Sequence, residues 1–195
     1  MTEQQWEKKL KIRTAGRDAS HADAYRYPYE PTPYAVLERL ADSGYLGRDH
    51  TVVDYGCGRG RVSFFLSHRI GCRCVGIEYD PTVYAQAVEN HRRFADRHLA
   101  ELICARAEAV SAEQGDCFYF FNPFSLEVLQ SVYGRLLESY YENPRVMRLF
   151  FYYPSEAYRV WLMTRRELEF VAQLDCRDLF PGDNNREYLL VFEIA

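Results

Sequence analysis

Residues 54–60, with the sequence DYGCGRG, place one acid and three alternating glycines in a pattern that can bind a nucleotide-type ligand. They follow a short apolar run at 51–53 and lead into an apolar, helix-like segment from residue 61. A sharp turn from strand to helix needs residues without a Cβ, because they tolerate positive φ and let a ligand approach the backbone. The spacing Asp-x-Gly-x-Gly-x-Gly differs from the dinucleotide pattern Gly-x-Gly-x-x-Gly and indicates another cofactor class.

Two further polar positions follow apolar runs of strand length. Glu78 ends the run at 74–77, where an acid after the second strand of a doubly wound sheet can accept hydrogen bonds from ribose hydroxyls. Asn122-Pro123 follows the run at 117–121. Taken alone, Glu78 also fits a solvent-exposed strand end, and Asn122-Pro123 also fits a simple turn.

The elements that must position these residues alternate between strand and helix patterns. Strand patterns lie at about 51–55, 73–78, 102–105, 117–121, 146–153, 168–175 and 187–193. Helix patterns lie at about 32–44, 61–70, 80–97, 125–142 and 155–164, with Thr32 and Asp80 as N-caps before prolines. The order predicts an α/β fold: an open, doubly wound, seven-stranded, mostly parallel sheet with helices on both faces and an antiparallel C-terminal strand.

Composition narrows the function classes. The 195 residues suit one domain at 25–195, preceded by a polar, solvated and aperiodic N-terminal segment at 1–24. The net charge of −4, with both signs mixed, makes a nucleic-acid partner unlikely. The six cysteines lie mostly in apolar runs and the five histidines are scattered, so we expect no metal site, and reduced thiols suit the cytoplasm. No apolar run approaches the roughly 18 residues of a membrane span.

Taken together, these motifs resemble the class I S-adenosylmethionine-dependent methyltransferases, from about Tyr29 to the C-terminus. The resemblance implies S-adenosyl-L-methionine as cofactor and the strand order 3-2-1-4-5-7-6. It implies that Glu78 holds the ribose, that Tyr79 lies against the adenine, and that Glu108 marks the adenine edge, with Arg106 as the alternative there. The cofactor contacts that it implies are Tyr29, Thr32, Asp54, Gly56, Cys57, Gly58, Gly60, Glu78, Tyr79, Glu108 and Asn122.

The same resemblance implies that Asn122, Pro123 and Phe124 border the transferred methyl group. The side-chain or main-chain carbonyl of Asn122 would accept a hydrogen bond from an amine and aim its lone pair at the methyl carbon. The sulfonium is already an activated leaving group, so positioning matters more than a strong base. The related motif Asn-Pro-Pro-aromatic marks enzymes acting on planar amide or base nitrogens. Here Phe124 replaces the second proline, which argues against that substrate class.

The stretch YPYEPTPY at 27–34 resembles an element that precedes the glycine motif in some lysine methyltransferases. Its tyrosines could surround an amine, or its prolines could simply stiffen the approach to a capped helix. We therefore expect a methyltransferase acting on an amine or other heteroatom nucleophile, with a protein lysine ahead of a small molecule. A non-catalytic cofactor-binding module is the alternative from another class, and the protein would be a monomer or a homodimer.

Overall fold

The computed structural model describes residues 1–18 and 27–195, which contain one seven-stranded sheet of order β3-β2-β1-β4-β5-β7-β6. The strands are β1 Thr51–Tyr55, β2 Arg73–Glu78, β3 Ala100–Cys104, β4 Cys117–Phe120, β5 Met147–Tyr152, β6 Glu169–Asp175 and β7 Tyr188–Ile194. Strands β1 to β5 pair in parallel, whereas β7 pairs antiparallel with both β5 and β6. The predicted fold class and strand order are confirmed.

Helices cover both faces of this sheet. They are α1 Glu3–Leu10, α2 Tyr34–Ala41, α3 Arg61–Ile70, α4 Pro81–Arg93, α5 Leu126–Glu142 and α6 Glu156–Leu162. Side chains alternate between the faces of a strand, so Val52 of β1 packs with the core of α1, α2 and α3, and Val53 packs with the core of α5 and α6. Because both faces are buried, the central strands read as nearly continuous apolar runs.

Of the two predicted N-caps, the structure confirms one and contradicts the other. Asp80 caps α4 as predicted, because its carboxylate accepts hydrogen bonds from the amides of Thr82 and Val83. The prediction that Thr32 caps α2 is wrong, since the helix begins at Tyr34 and Pro33 is its N-cap. The Thr32 side chain is buried, and its hydroxyl bonds the Tyr119 hydroxyl 3.0 Å away instead of a helix amide.

The N-terminal segment differs from the prediction of a polar, aperiodic stretch. Residues 3–10 form α1, in which the Thr2 hydroxyl and the Gln5 side chain make a reciprocal capping box. The buried face of α1 carries Trp6 and Leu10, so this helix belongs to the core. The sequence obscures this because the two apolar side chains are separated by a single turn of charged residues. The predicted boundary at 24/25 lies outside the described residues and stays a prediction.

Arg61, the first residue of α3, joins this helix to the glycine loop. Its guanidinium is 3% exposed and contacts Glu3 at 2.5 Å and Glu7 at 3.3 Å. It also lies 4.3 Å from the centre of the Tyr34 ring and donates to the main-chain carbonyl of Thr32. A buried cation needs such partners, because an unpaired charge in the interior is costly. The segment before β1 is thereby tied to α3.

Replacing Glu3 with glutamine should lower the free energy of unfolding by about 1 kcal/mol, because Glu3 is half exposed and its ion pair is partly screened. The glutamine can still accept from the Tyr34 amide, so the change removes only the negative charge that faces the Arg61 guanidinium. Urea denaturation measures the effect, and Glu142→Gln, an exposed change of the same type at the end of α5, is the control. Equal midpoints for both variants would show that the Glu3 ion pair with Arg61 does not stabilise the fold.

Candidate functional site

The glycine loop between β1 and α3 turns tightly beneath other parts of the chain. Gly56, Gly58 and Gly60 have φ values of +76°, +56° and +86°, which side-chain-bearing residues rarely adopt. A Cβ on Gly56 would lie 2.4 Å from the Pro123 Cβ, and a Cβ on Gly58 would lie 2.2 Å from the Tyr29 ring. Glycine is therefore needed in this loop for two reasons: the backbone takes positive φ, and the predicted site residues Pro123 and Tyr29 pack where a Cβ would lie.

Three cavities run side by side along the carboxyl edge of the parallel strands. The first cavity, of about 680 Å³, is lined by Gly56, Glu78, Tyr79, Glu108, Pro123 and Phe124, among others. The second cavity, of about 520 Å³, is lined by Thr32, Asp54, Gly56, Cys57, Asn122 and Pro123, among others. The third, which we call the open cleft, is lined by Phe121, Asn122, Tyr152, Tyr153 and Glu187, among others. Tyr27 and Pro28 line all three.

The structure brings the predicted site residues together at these cavities, although their roles remain predictions. The residues that line the first or second cavity are Tyr29, Thr32, Asp54, Gly56, Cys57, Glu78, Tyr79, Glu108, Asn122, Pro123 and Phe124. Gly58 and Gly60 do not line them, because the Tyr29 and Phe64 rings cover those two glycines. At the adenine edge, Glu108 faces the first cavity, whereas the Arg106 guanidinium lies over the Tyr79 ring at 5.7 Å.

Asp54 is the buried acid of the second cavity. Its side chain is 2% exposed, and among the described residues its carboxylate is hydrogen-bonded only by the Ser63 hydroxyl, at 3.4 Å. Burial raises the pKa of Asp54 to about 7, and the nearby Glu78 acts in the same direction. A buried carboxylate with one long hydrogen bond favours a cationic partner, because the partner would offset the cost of the buried charge. The acid therefore fits a ligand that carries an ammonium group.

Glu78 at the end of β2 is held by the backbone. One carboxylate oxygen accepts from the Gly58 amide at 2.9 Å, and the other accepts from the Asp80 amide at 2.8 Å. Burial raises its pKa despite these two bonds. Each carboxylate oxygen has a second lone pair, so the fixed side chain can still accept from two ligand hydroxyls. It lines the first cavity together with the 41% exposed Tyr79 ring, and the roles of both residues at a ribose and an adenine stay predictions.

Asn122 lies where the second cavity meets the open cleft, with φ +40°. Its side-chain nitrogen donates to the Tyr153 carbonyl at 2.5 Å, and its side-chain oxygen accepts from the Ser155 amide at 2.9 Å. The side chain thus ties the loop after β4 to the end of β5. No described residue donates to the Asn122 main-chain carbonyl, so this oxygen keeps both lone pairs for a ligand, whereas the side-chain oxygen keeps one.

The segment from Tyr27 to Thr32 covers the glycine loop and is held by a part of the chain that the sequence did not single out. Tyr29 exchanges two main-chain hydrogen bonds with Asp18, at 2.8 and 3.0 Å. Its hydroxyl donates to the Thr14 carbonyl, and the Arg59 guanidinium lies 4.7 Å from its ring centre. The main-chain amide of Tyr27 donates to the Pro123 carbonyl at 3.4 Å. No local sequence signal could have found these partners, because the pairing joins residues that are 11 positions apart in the chain, with no repeating pattern between them.

Replacing Tyr29 with alanine should weaken cofactor binding about tenfold, because the ring that packs on Gly58 and borders two cavities is lost. Tyr29→Phe is the matched control, since it keeps the ring and removes only the bond to Thr14. Titration calorimetry with the cofactor measures both variants. An unchanged dissociation constant for the alanine variant would remove Tyr29 from the binding site.

Three possible metal ligands meet at the opposite edge of the sheet. Ligand atoms of His50, Asp116 and Cys117 lie within 4.8 Å of one another, although the scattered histidines gave no such indication. The His50 Nδ1 accepts from the Gly47 amide, and the Asp116 carboxylate accepts from the Thr51 amide. These main-chain bonds explain the positions of the His50 and Asp116 side chains without a metal ion. The expectation of no metal site stays a prediction.

Comparison with known proteins gives the same fold. Residues 52–142 match the methyltransferase domain family. The RNA methyltransferase from Salinibacter ruber, solved in complex with S-adenosyl-L-homocysteine, is 19% identical, with 85% of this chain and 94% of that chain covered and a TM-score of 0.58. The TehB-like SAM-dependent methyltransferase from Corynebacterium glutamicum is 18% identical, with 97% and 94% covered and a TM-score of 0.57.

The glycopeptide N-methyltransferase MtfA, solved with S-adenosyl-L-methionine, is 15% identical, with 82% of this chain and 86% of that chain covered and a TM-score of 0.61. At these identities, the similar structures show the shared fold. No curated protein sequence matches the chain. Within residues 1–18 and 27–195, no helix has the length and apolar character needed to cross a membrane.

Proposed function

We propose that this chain, whose residues 52–142 match the methyltransferase domain family, is an S-adenosylmethionine-dependent methyltransferase that acts on an amine or other heteroatom nucleophile, with a protein lysine as the first choice. One observation carries the proposal most. The cavity of the buried Asp54, the cavity of Glu78 and the open cleft adjoin one another, and Asn122 lies at the junction with the cleft. A cofactor and an acceptor bound in adjoining cavities can meet at that junction.

S-adenosyl-L-methionine is the cofactor in this proposal, and bound there it supplies an activated methyl group on a positively charged sulfur. Asp54 would hold its amino group, since this carboxylate is buried beside the second cavity with one long hydrogen bond. Glu78 would hold the ribose, and Tyr79 with Glu108 would border the adenine in the first cavity. The glycine loop supports this fit, because a Cβ at Gly56 or Gly58 would displace Pro123 or Tyr29, two side chains that line the first and second cavities.

The chain's own contribution is to orient the acceptor and exclude water. Phe121 and Phe124 provide apolar surface on either side of Asn122-Pro123. The Asn122 main-chain carbonyl would accept a hydrogen bond from the amine nitrogen, which fixes the direction of its lone pair. Ordered approach of two reactants can supply several kcal/mol of a transfer barrier, so this mechanism requires no strong base.

Several acceptors fit an amine site. The glycopeptide N-methyltransferase among the similar structures favours a nitrogen acceptor, although it leaves open whether that nitrogen belongs to a protein or a small molecule. An RNA acceptor is less favoured because the chain has a net charge of −4. The six free cysteines fit a reducing compartment, which supports a cytoplasmic location. The second candidate is a module that binds the cofactor without transferring its methyl group.

Label transfer tests the proposal. Purified protein is mixed with methyl-labelled cofactor and a fractionated lysate, and label is counted in protein, RNA and small-molecule fractions. We expect label in the protein or small-molecule fraction, and the Asp54→Asn variant should lose it. Cofactor binding without label in any fraction would favour the binding-module alternative.

A further inference from the structure

The open cleft beyond Asn122 has aromatic walls. Tyr27, Phe121, Tyr152 and Tyr153 all line it. Aromatic faces are negatively polarised, so several rings around one space attract an organic cation. Because the cleft opens to solvent, it can admit a side chain or a free small molecule.

Glu187 places a carboxylate in this cleft. One of its oxygens accepts from the Tyr152 hydroxyl at 2.7 Å, and the other accepts from the Asn184 side chain at 3.1 Å. Burial and the adjacent Glu187 raise the pKa of Tyr152, so that hydroxyl stays protonated and keeps donating. The two neutral donors fix the carboxylate in place and leave its negative charge uncompensated.

No basic group among the described residues pairs with Glu187 within 4.0 Å. The adjacent Arg186 pairs with other groups, since its guanidinium lies 4.2 Å from the centre of the Tyr153 ring and donates to the Tyr153 and Pro154 carbonyls. The other charged residues that line the cleft are Arg17 and Glu30, which lie 3.9 Å apart and are both more than half exposed. Among the charged side chains that the structure describes in the cleft, Glu187 is therefore the one without an ion-pair partner.

We propose that the open cleft is a recognition site for an aliphatic ammonium group, bound by the Glu187 carboxylate and the rings of Tyr27, Phe121 and Tyr152. The inference rests on the proposed function, because it identifies the acceptor that enters the cleft next to the cofactor cavities. The acceptor arrives as an ammonium ion and loses one proton to the solvent of the open cleft. Its nitrogen lone pair then forms a bond to the methyl carbon while the carbon–sulfur bond breaks and that electron pair stays on sulfur.

The test compares two probes of the same shape, n-pentylamine and n-pentanol, by calorimetry with and without saturating S-adenosylhomocysteine. We expect the amine to bind about tenfold more tightly than the alcohol, as a hydrogen-bonded charge predicts. Glu187→Gln should remove that preference and leave S-adenosylhomocysteine binding unchanged. Glu142→Gln, which makes the same charge change at the end of α5, should behave as the unmodified protein.

Nα-acetyl-lysine amide separates the two sources of an aliphatic ammonium group. Tighter binding than n-pentylamine would favour a lysine side chain, and weaker binding would favour a free amine; both agree with the site. Equal binding of amine and alcohol, binding of neither, or an amine preference that survives Glu187→Gln would overturn the site. If the unmodified protein bound the amine but did not bind S-adenosylhomocysteine, the proposed function would be contradicted and the ammonium site would stand, because amine binding is also measured without S-adenosylhomocysteine.

Discussion

Replacing Asn122 with alanine should lower the turnover number about a hundredfold or more, because a reactant held in the wrong geometry loses much of the benefit of proximity. The substitution removes both side-chain bonds that join the loop after β4 to the end of β5. It also puts a residue less suited than asparagine at φ +40°. The main-chain carbonyl that would orient the acceptor should then lose its fixed direction.

Single-turnover label transfer and cofactor calorimetry together measure this effect. Asn122→Asp is the matched variant, since it can still accept from the Ser155 amide but cannot donate to the Tyr153 carbonyl. Its turnover should lie between those of the alanine variant and the unmodified protein, with cofactor affinity nearly unchanged in both. Equal losses of turnover and cofactor affinity would instead indicate collapse of the loop.

The Asp54→Asn variant should bind S-adenosylmethionine about a hundredfold more weakly, because a hydrogen bond between charged groups is replaced by a neutral contact. The asparagine has nearly the same shape, and Ser63 can still donate to its oxygen. Asp116→Asn is the control, because Asp116 is a partly buried acid at the opposite edge of the sheet and bonds the Thr51 amide. Unchanged affinity in the Asp54 variant would separate this acid from the cofactor site.

The same acid predicts a pH dependence. Burial raises the pKa of Asp54 to about 7 from 3.8, so the unfolded chain releases this proton at a lower pH than the folded chain. The unfolded state therefore binds fewer protons between about pH 4 and 7, and the contribution of Asp54 to the free energy of unfolding falls as pH rises through this range. Cofactor affinity should rise with pH toward 7 as the carboxylate ionises. Asp54→Asn should flatten both profiles.

Much of the site could be predicted because its residues lie at the ends of strands. The glycine loop, Glu78 and the Asn122-Pro123 turn each follow an apolar run, and the carboxyl ends of parallel strands meet at one edge. The helix and strand order also followed from hydrophobic periodicity, with differences of a few residues at several ends. The end of α4, for example, comes at Arg93 rather than near residue 97.

Other features depend on contacts between segments that are distant in sequence. The buried position of Thr32 arises from its bond to Tyr119, so its hydroxyl is not available to cap α2. Helix α1 shows only two buried apolar residues among charges, too few for a periodicity argument. The partners of the Asn122 side chain come from the end of β5, where Tyr153 takes φ +49°. None of these pairings has a local sequence signature.

A crystal structure with bound S-adenosylhomocysteine is the decisive measurement. The account predicts that its amino group contacts Asp54, its ribose contacts Glu78, and its sulfur faces Asn122 and the open cleft. If these cavities stayed empty at saturating ligand, or if a dinucleotide bound there in preference, the assignment of the cofactor site would be wrong.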